Sequence, residues 1–289
     1  MHVIVSATVK RVTPIHEISA PSSDADAFAG FGAGPEGEGS AVRWVGCREC
    51  LDAHPLGFPI SMAFQPIVDL RDHSIWSYEA LVRGADGASA ASVLGRIDEV
   101  NRYYFDQTAR VTAIRLATEL GLAARLNINF LPNAVYRPET CIRATLQAAE
   151  MFGFDISRIV FEVTEGEQVR DRMHLRQIFD AYRERGFITA IDDFGEGHSG
   201  LNHLVELTPD VVKLDINLVR ALESDRPRRL IVEAVARLCR ELGIEVIAEG
   251  VETEAELRCL EDLGIVLFQG FLFARPGFEC LPQPVFPPR

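Results

Sequence analysis

RIVFEVTEGEQVRDRMHLRQIFDAYRERGFITAIDD, residues 158–193, decides the fold. It opens on a short β-like run, Arg158–Glu165, and passes into a stretch with 3.6-residue periodicity, Val169–Arg185. It stops at Gly186 and returns to a β-like run, Phe187–Asp193. A glycine just past a helix adopts the left-handed backbone that ends it. Strand, helix, glycine and strand make one βαβ unit, whose two strands lie parallel. Both strands finish in acid: Glu162 and Glu165 on the first, Asp192 and Asp193 on the second.

The same punctuation extends outward in both directions. Further strand candidates are Met62–Leu70, Ile75–Arg83, Arg125–Phe130, Val211–Ile216, Glu245–Glu249 and Val266–Phe271. Helical stretches Pro227–Leu242 and Glu254–Leu263 are each followed by a glycine, Gly243 and Gly264. Repetition of this kind predicts an α/β fold with a largely parallel sheet. The first two strand candidates are separated only by Arg71–Ser74. That gap permits a hairpin but no parallel crossover, so one strand near the start runs antiparallel. The expected architecture is a (β/α)8 TIM-like barrel over residues 42–289, about 250 residues being typical of that fold. Residues 20–40 are dominated by Gly, Ser, Ala, Asp and Pro. Such a composition cannot offset its ordering entropy, so 1–41 is expected to be a flexible, disordered leader.

Bulk properties narrow the function. The chain has 289 residues, 47% of them hydrophobic, and a formal net charge of −13. A surface that acidic disfavours long nucleic acids and anionic membranes as partners. No apolar run approaches the roughly 20 residues of a membrane span, and Lys10 and Arg11 follow the apolar start rather than precede it, so a cytoplasmic location is expected. Of six cysteines, Cys141, Cys239 and Cys259 fall in helix-like segments and read as small buried hydrophobes. Cys47 and Cys50, with His54 nearby, are one ligand short of a structural zinc set and read first as free thiols, second as a redox pair or partial metal site.

Polar residues recur where strands end: Glu79, Asn129, Glu162 and Glu165, Asp192 and Asp193, Lys213 with Asp215, Glu249 and Gln269. Singly, each has a plain reading as a rim residue, a helix cap or a surface lysine. Lys213, however, stands inside the apolar run VVKLDI and needs a buried partner. In a (β/α)8 barrel the parallel strands end at one face, so these side chains converge. Carboxylates and an amide without His or Cys form a hard-oxygen site suited to Mg²⁺ or Mn²⁺.

The motifs resemble those of the EAL phosphodiesterases. YEALVR (Tyr78–Arg83) is similar to the EALxR signature, and FQPIVD (Phe64–Asp69) to the first-strand motif. NINFLP with Asn129, FEVTE (Phe161–Glu165), IDDFGEGHSGL (Ile191–Leu201), VVKLD with Lys213, AEGVE with Glu249 and QGFLFARP with Gln269 follow in the family's order. The resemblance implies hydrolysis of cyclic di-GMP to linear pGpG with two Mg²⁺ or Mn²⁺ ions, and inhibition by Ca²⁺. It assigns Glu79, Asn129, Glu162 and Asp192 to one metal, and Asp192, Asp193 and Glu249 to the second. Lys213 orients or polarises the attacking water, and Glu249 is either ligand or general base. Gln65, Leu81, Arg83, Asp215 and Gln269 contact the dinucleotide, Glu165 anchors the DDFG loop, and the loop face forms a homodimer. The loop departs from the family pattern at Glu196, His198 and Gly200. The alternative is a catalytically silent relative that binds cyclic di-GMP or partner proteins.

Overall fold

The computed structural model describes residues 56–166, 171–197 and 200–287. The expected leader, Cys47, Cys50, His54 and His198 lie outside the described residues. Eight strands form the barrel: β1 (Ile60–Asp69), β2 (Ser74–Gly84), β3 (Arg125–Asn129), β4 (Ile159–Thr164), β5 (Ile188–Phe194), β6 (Val211–Leu214), β7 (Glu245–Ala248) and β8 (Leu267–Phe268). Strands β2 to β8 pair in sequence order and in parallel. β1 pairs antiparallel with both β2 and β8 and closes the cylinder. The single antiparallel strand is therefore β1, as the short Arg71–Ser74 connection requires. A two-residue strand, β9 (Gly277–Phe278), extends the β1 edge at Ala63 and Phe64.

The principal helices are α1 (Arg102–Glu119), α2 (Arg143–Phe152), α3 (Arg172–Arg183), α4 (Gly200–Leu207), α5 (Arg226–Leu242) and α6 (Glu254–Asp262). Their ends carry local signals. Asp171 accepts the Met173 N–H at the start of α3, and Asp225 accepts the Arg228 N–H at the start of α5. Thr253 and Glu256 form a reciprocal capping box on α6. Gly186, Gly243 and Gly264 have φ of 87°, 73° and 83°, the left-handed stops expected of them. Cys141, Cys239 and Cys259 are buried thiols, as their helical settings imply. Among the described residues no helix is long and apolar enough to cross a membrane.

Strand alternation divides the core in two. Outward-facing residues such as Leu126, Ile128, Phe161, Val212 and Phe268 pack against the helices. Inward-facing Ile67, Val160, Ala190, Val211, Ile247 and Leu267 form a separate apolar floor inside the barrel. Each large apolar side chain so buried contributes roughly 1.5–3 kcal/mol. The eighth strand is shorter than the Val266–Phe271 run predicts. The strand ends at Phe268, and beyond it the backbone at Gly270 lies so close to the Val251 carbonyl oxygen that a side chain there would collide with it.

Candidate metal centre at the barrel mouth

Two residues beyond the floor, the same inward face turns polar. Val160 is followed by Glu162, Ala190 by Asp192, Val211 by Lys213, Ile247 by Glu249 and Leu267 by Gln269. On antiparallel β1 the step runs backward, from Ile67 to Gln65, which sits opposite Glu79 in the β1–β2 register. A strand repeats its facing every second residue, so an apolar floor two residues below guarantees that these groups meet.

Lys213 is the hub. Its ammonium is fully buried and lies 2.7 Å from Glu249, 2.9 Å from Asp192, 3.1 Å from Glu162 and 3.3 Å from Glu79. Burial alone works against the ammonium, yet the carboxylates hold its pKa well above the ordinary lysine value. Burial pushes the Glu162 carboxyl up to about 8 against the pull of Lys213. Burial, then Asp192 next to it, likewise raises Glu249 well above the usual range. Asp193 is pushed up to about 7 by burial and by Asp192.

Amides orient the carboxylates. Glu79 accepts from Asn129 Nδ2 at 3.0 Å and from Gln269 Nε2 at 2.8 Å. Glu162 accepts from Asn127 Nδ2 at 2.5 Å. Gln65 donates to the Ala274 carbonyl at 3.1 Å. Asn127 is absent from the sequence-derived set, although it lies two residues before Asn129 on the same strand and so shares its face. Asn129 itself is exposed at the rim.

Strict alternation would send Asp192 and Asp193 to opposite faces. The β5–β6 ladder instead pairs Ile191 with Val212 and Phe194 with Leu214, three residues against two. This bulge, with Asp193 in a left-handed conformation (φ 52°), brings both carboxylates to the mouth. Carboxylate oxygens of Glu79, Glu162 and Asp192 lie within 4.8 Å of one another, as do those of Asp192, Asp193 and Glu249. Glu165 secures the loop after the bulge by accepting the Gly195 N–H at 2.7 Å.

The centre opens into a cleft of about 290 Å³. Gln65, Asp215 and Gln269 line it, as do Ile216 and Phe271, which the sequence analysis does not single out. Asp215 also caps the turn after β6 by accepting the Asn217 N–H at 2.9 Å. Leu81 and Arg83 lie outside the cleft lining; Arg83 donates to the Val82 carbonyl at 2.7 Å.

The donor set fits hard divalent cations. Four carboxyl groups face a single ammonium, more acid than one cation balances once they ionise, and divalent cations would favour that ionised form. Asn127 Oδ1 and Gln269 Oε1 are buried with no hydrogen-bond partner among the described residues. All of these donors are oxygen, and no thiol or imidazole stands among them.

Comparison with known proteins agrees with this geometry. Residues 59–276 match the family model described as EAL domain. The blue light- and temperature-regulated antirepressor BluF of Escherichia coli K12 is 30% identical over 226 residues, covering 78% of this chain and 56% of that protein. The probable cyclic di-GMP phosphodiesterase PdeG of the same organism is 32% identical over 224 residues, covering 74% of this chain and 44% of that protein. This chain thus spans about half the length of these relatives. Among solved structures, a standalone versatile EAL protein from Vibrio cholerae O395 bound to c-di-GMP is 50% identical with a TM-score of 0.77, covering 79% of this chain and 96% of that one. A manganese and cyclic di-GMP complex of Klebsiella pneumoniae BlrP1 is 38% identical with a TM-score of 0.73, covering 77% and 57%. From its motifs, its closed barrel and these matches, the chain belongs to the EAL domain family.

Proposed function

We propose that this chain is a cytoplasmic phosphodiesterase that hydrolyses cyclic di-GMP to pGpG. The observation that carries the reading is the charge imbalance around Lys213, four carboxylates on one ammonium, in a chain similar to proteins solved with that dinucleotide. Glu79, Asn129, Glu162 and Asp192 would hold one divalent cation, and Asp192, Asp193 and Glu249 the second. When bound, two such cations lower the pKa of a water and offset charge on the attacking and leaving oxygens. Lys213 fixes the carboxylates of Asp192 and Glu249 and is the cation that orients the attacking water. Glu249 bonds Lys213 through Oε1, which leaves Oε2 to take a proton from that water. Gln65, Asp215 and Gln269 contact the dinucleotide. Leu81 and Arg83 join them when Arg83 leaves the Val82 carbonyl for a phosphate oxygen, a side-chain change of the kind common on binding.

A second reading has one specific observation behind it. BluF is named an antirepressor, so a chain of this family that binds cyclic di-GMP or a partner without turnover is the alternative. The purified protein incubated with cyclic di-GMP and Mn²⁺ separates the two. Linear product that vanishes with chelator, and falls roughly a thousandfold in Glu79→Ala, supports the enzyme. Tight binding without product supports the receptor. Ca²⁺ is expected to inhibit, because its looser coordination suits water activation poorly. A single-stranded oligonucleotide is expected not to compete. Exposed Leu201 and Val205 on α4 and Met173 on α3 support a homodimer through the loop face. Sedimentation showing only monomer at all concentrations would count against that assembly.

A further inference from the structure

The site has a second buried charge pair behind it, on the helix side of the sheet. Asp106 and Arg110, one turn apart on α1, are both fully buried and meet at 2.7 Å. Asp106 Oδ1 accepts the Leu131 N–H at 2.9 Å. Leu131 is two residues past Asn129, just where β3 leaves the barrel. Arg110 donates to the Tyr182 hydroxyl at 2.9 Å. Its guanidinium lies 5.6 Å from the Phe130 ring centre and 5.1 Å from that of Phe161. Phe130 and Phe161 are the immediate chain neighbours of Asn129 and Glu162. Alternation therefore puts the aromatic residues outward on Arg110 and the two proposed ligands inward at the mouth.

Resting on the proposed function, we infer that Asp106 and Arg110 are positioning residues of the metal centre. Asp106 holds the Leu131 amide and with it the reach of Asn129; Arg110 pins the aromatic pair that backs Asn129 and Glu162. Partners that hydrogen-bond a ligand directly are worth about 10–100-fold in metal affinity, and a pair that acts through the backbone and the aromatic rings behind the ligands is expected at the lower end of that range.

The test compares two double variants of the full chain, Asp106→Asn/Arg110→Met and Asp106→Leu/Arg110→Met. Both remove the charges together, so neither leaves an unpaired buried ion. Only the first keeps an acceptor for the Leu131 N–H. Mn²⁺ binding is read directly from the free-ion paramagnetic resonance signal, alongside a thermal melt. Asp106→Leu/Arg110→Met is expected to raise the Mn²⁺ Kd about tenfold or more, and Asp106→Asn/Arg110→Met by clearly less. Equal Kd values in both variants, or wild-type affinity in a cooperatively melting Asp106→Leu/Arg110→Met chain, overturn the assignment. Should that chain not melt cooperatively, Tyr182→Phe decides: it removes only the hydroxyl on Arg110 and is expected to weaken Mn²⁺ about threefold, while an unchanged Kd overturns the proposal. A wild-type chain that binds no Mn²⁺ overturns instead the functional reading beneath it.

Discussion

Among the described residues two cations are sealed from water, Arg110 and Lys213, and they are managed in opposite ways. Arg110 meets one carboxylate, one hydroxyl and three aromatic faces, so its charge is balanced one to one. Lys213 meets four carboxylates and leaves the excess unanswered. A fold closes its buried charge where nothing charged is to bind, because an uncompensated buried ion is strongly destabilising. Charge left open at the mouth of a barrel is a place for something charged to bind. The contrast separates scaffold from site without reference to any relative.

The largest expected effects test that contrast directly. Arg110→Met strands Asp106 and is expected to cost about 3–5 kcal/mol of stability, a loss that added Mn²⁺ does not repair. Lys213→Met strands four carboxylates and is expected to lose at least as much in chelator, but to regain most of its melting temperature when Mn²⁺ is added. Equal responses of the two variants to Mn²⁺ would erase the distinction.

A smaller effect follows from pH. The carboxyls of Glu162 and Asp193 have folded-state values of about 8 and about 7, above their unfolded values. A group shifted upward contributes stability that is fully present below its unfolded pKa and lost as pH rises through its folded one. In chelator the melting temperature is therefore expected to fall between about pH 4 and pH 8. Saturating Mn²⁺ is expected to remove this slope, since cations favour the ionised carboxylates. Arg110 stays charged throughout this range and contributes no slope of its own. The smallest effect is Tyr182→Phe, expected to lower stability by about 1–2 kcal/mol, read by denaturant titration, because it leaves one Arg110 donor without its partner.

The barrel and most of the mouth were legible in the sequence because both follow from period-two alternation punctuated by glycine. Val160 to Glu162 and Val211 to Lys213 are the same step, an inward apolar residue followed by an inward polar one. Other parts escaped for physical reasons. α1 buries Asp106 and Arg110 along with Tyr103, Phe105 and Ile114, so it lacks a clean polar face and its periodicity is blurred. Asn127 was readable in NIN, because its side chain falls on the face of Asn129, but a single amide satisfied the expected ligand set. The joint delivery of Asp192 and Asp193 depends on the β5 bulge, and alternation alone cannot foresee it. Arg83 turns back on its own strand, a rotamer choice that no pattern in the chain encodes.

The stacked interior of the barrel has an evolutionary consequence. The floor of Ile67, Val160, Ala190, Val211, Ile247 and Leu267 holds the cylinder, while the tier above it carries acids that repel one another. Replacing one of those acids relieves strain in the metal-free protein, at the expense of chemistry alone. A lineage selected only for grasping a ligand can therefore shed turnover and become sturdier as it does so. Drift in such a fold runs downhill from enzyme to receptor.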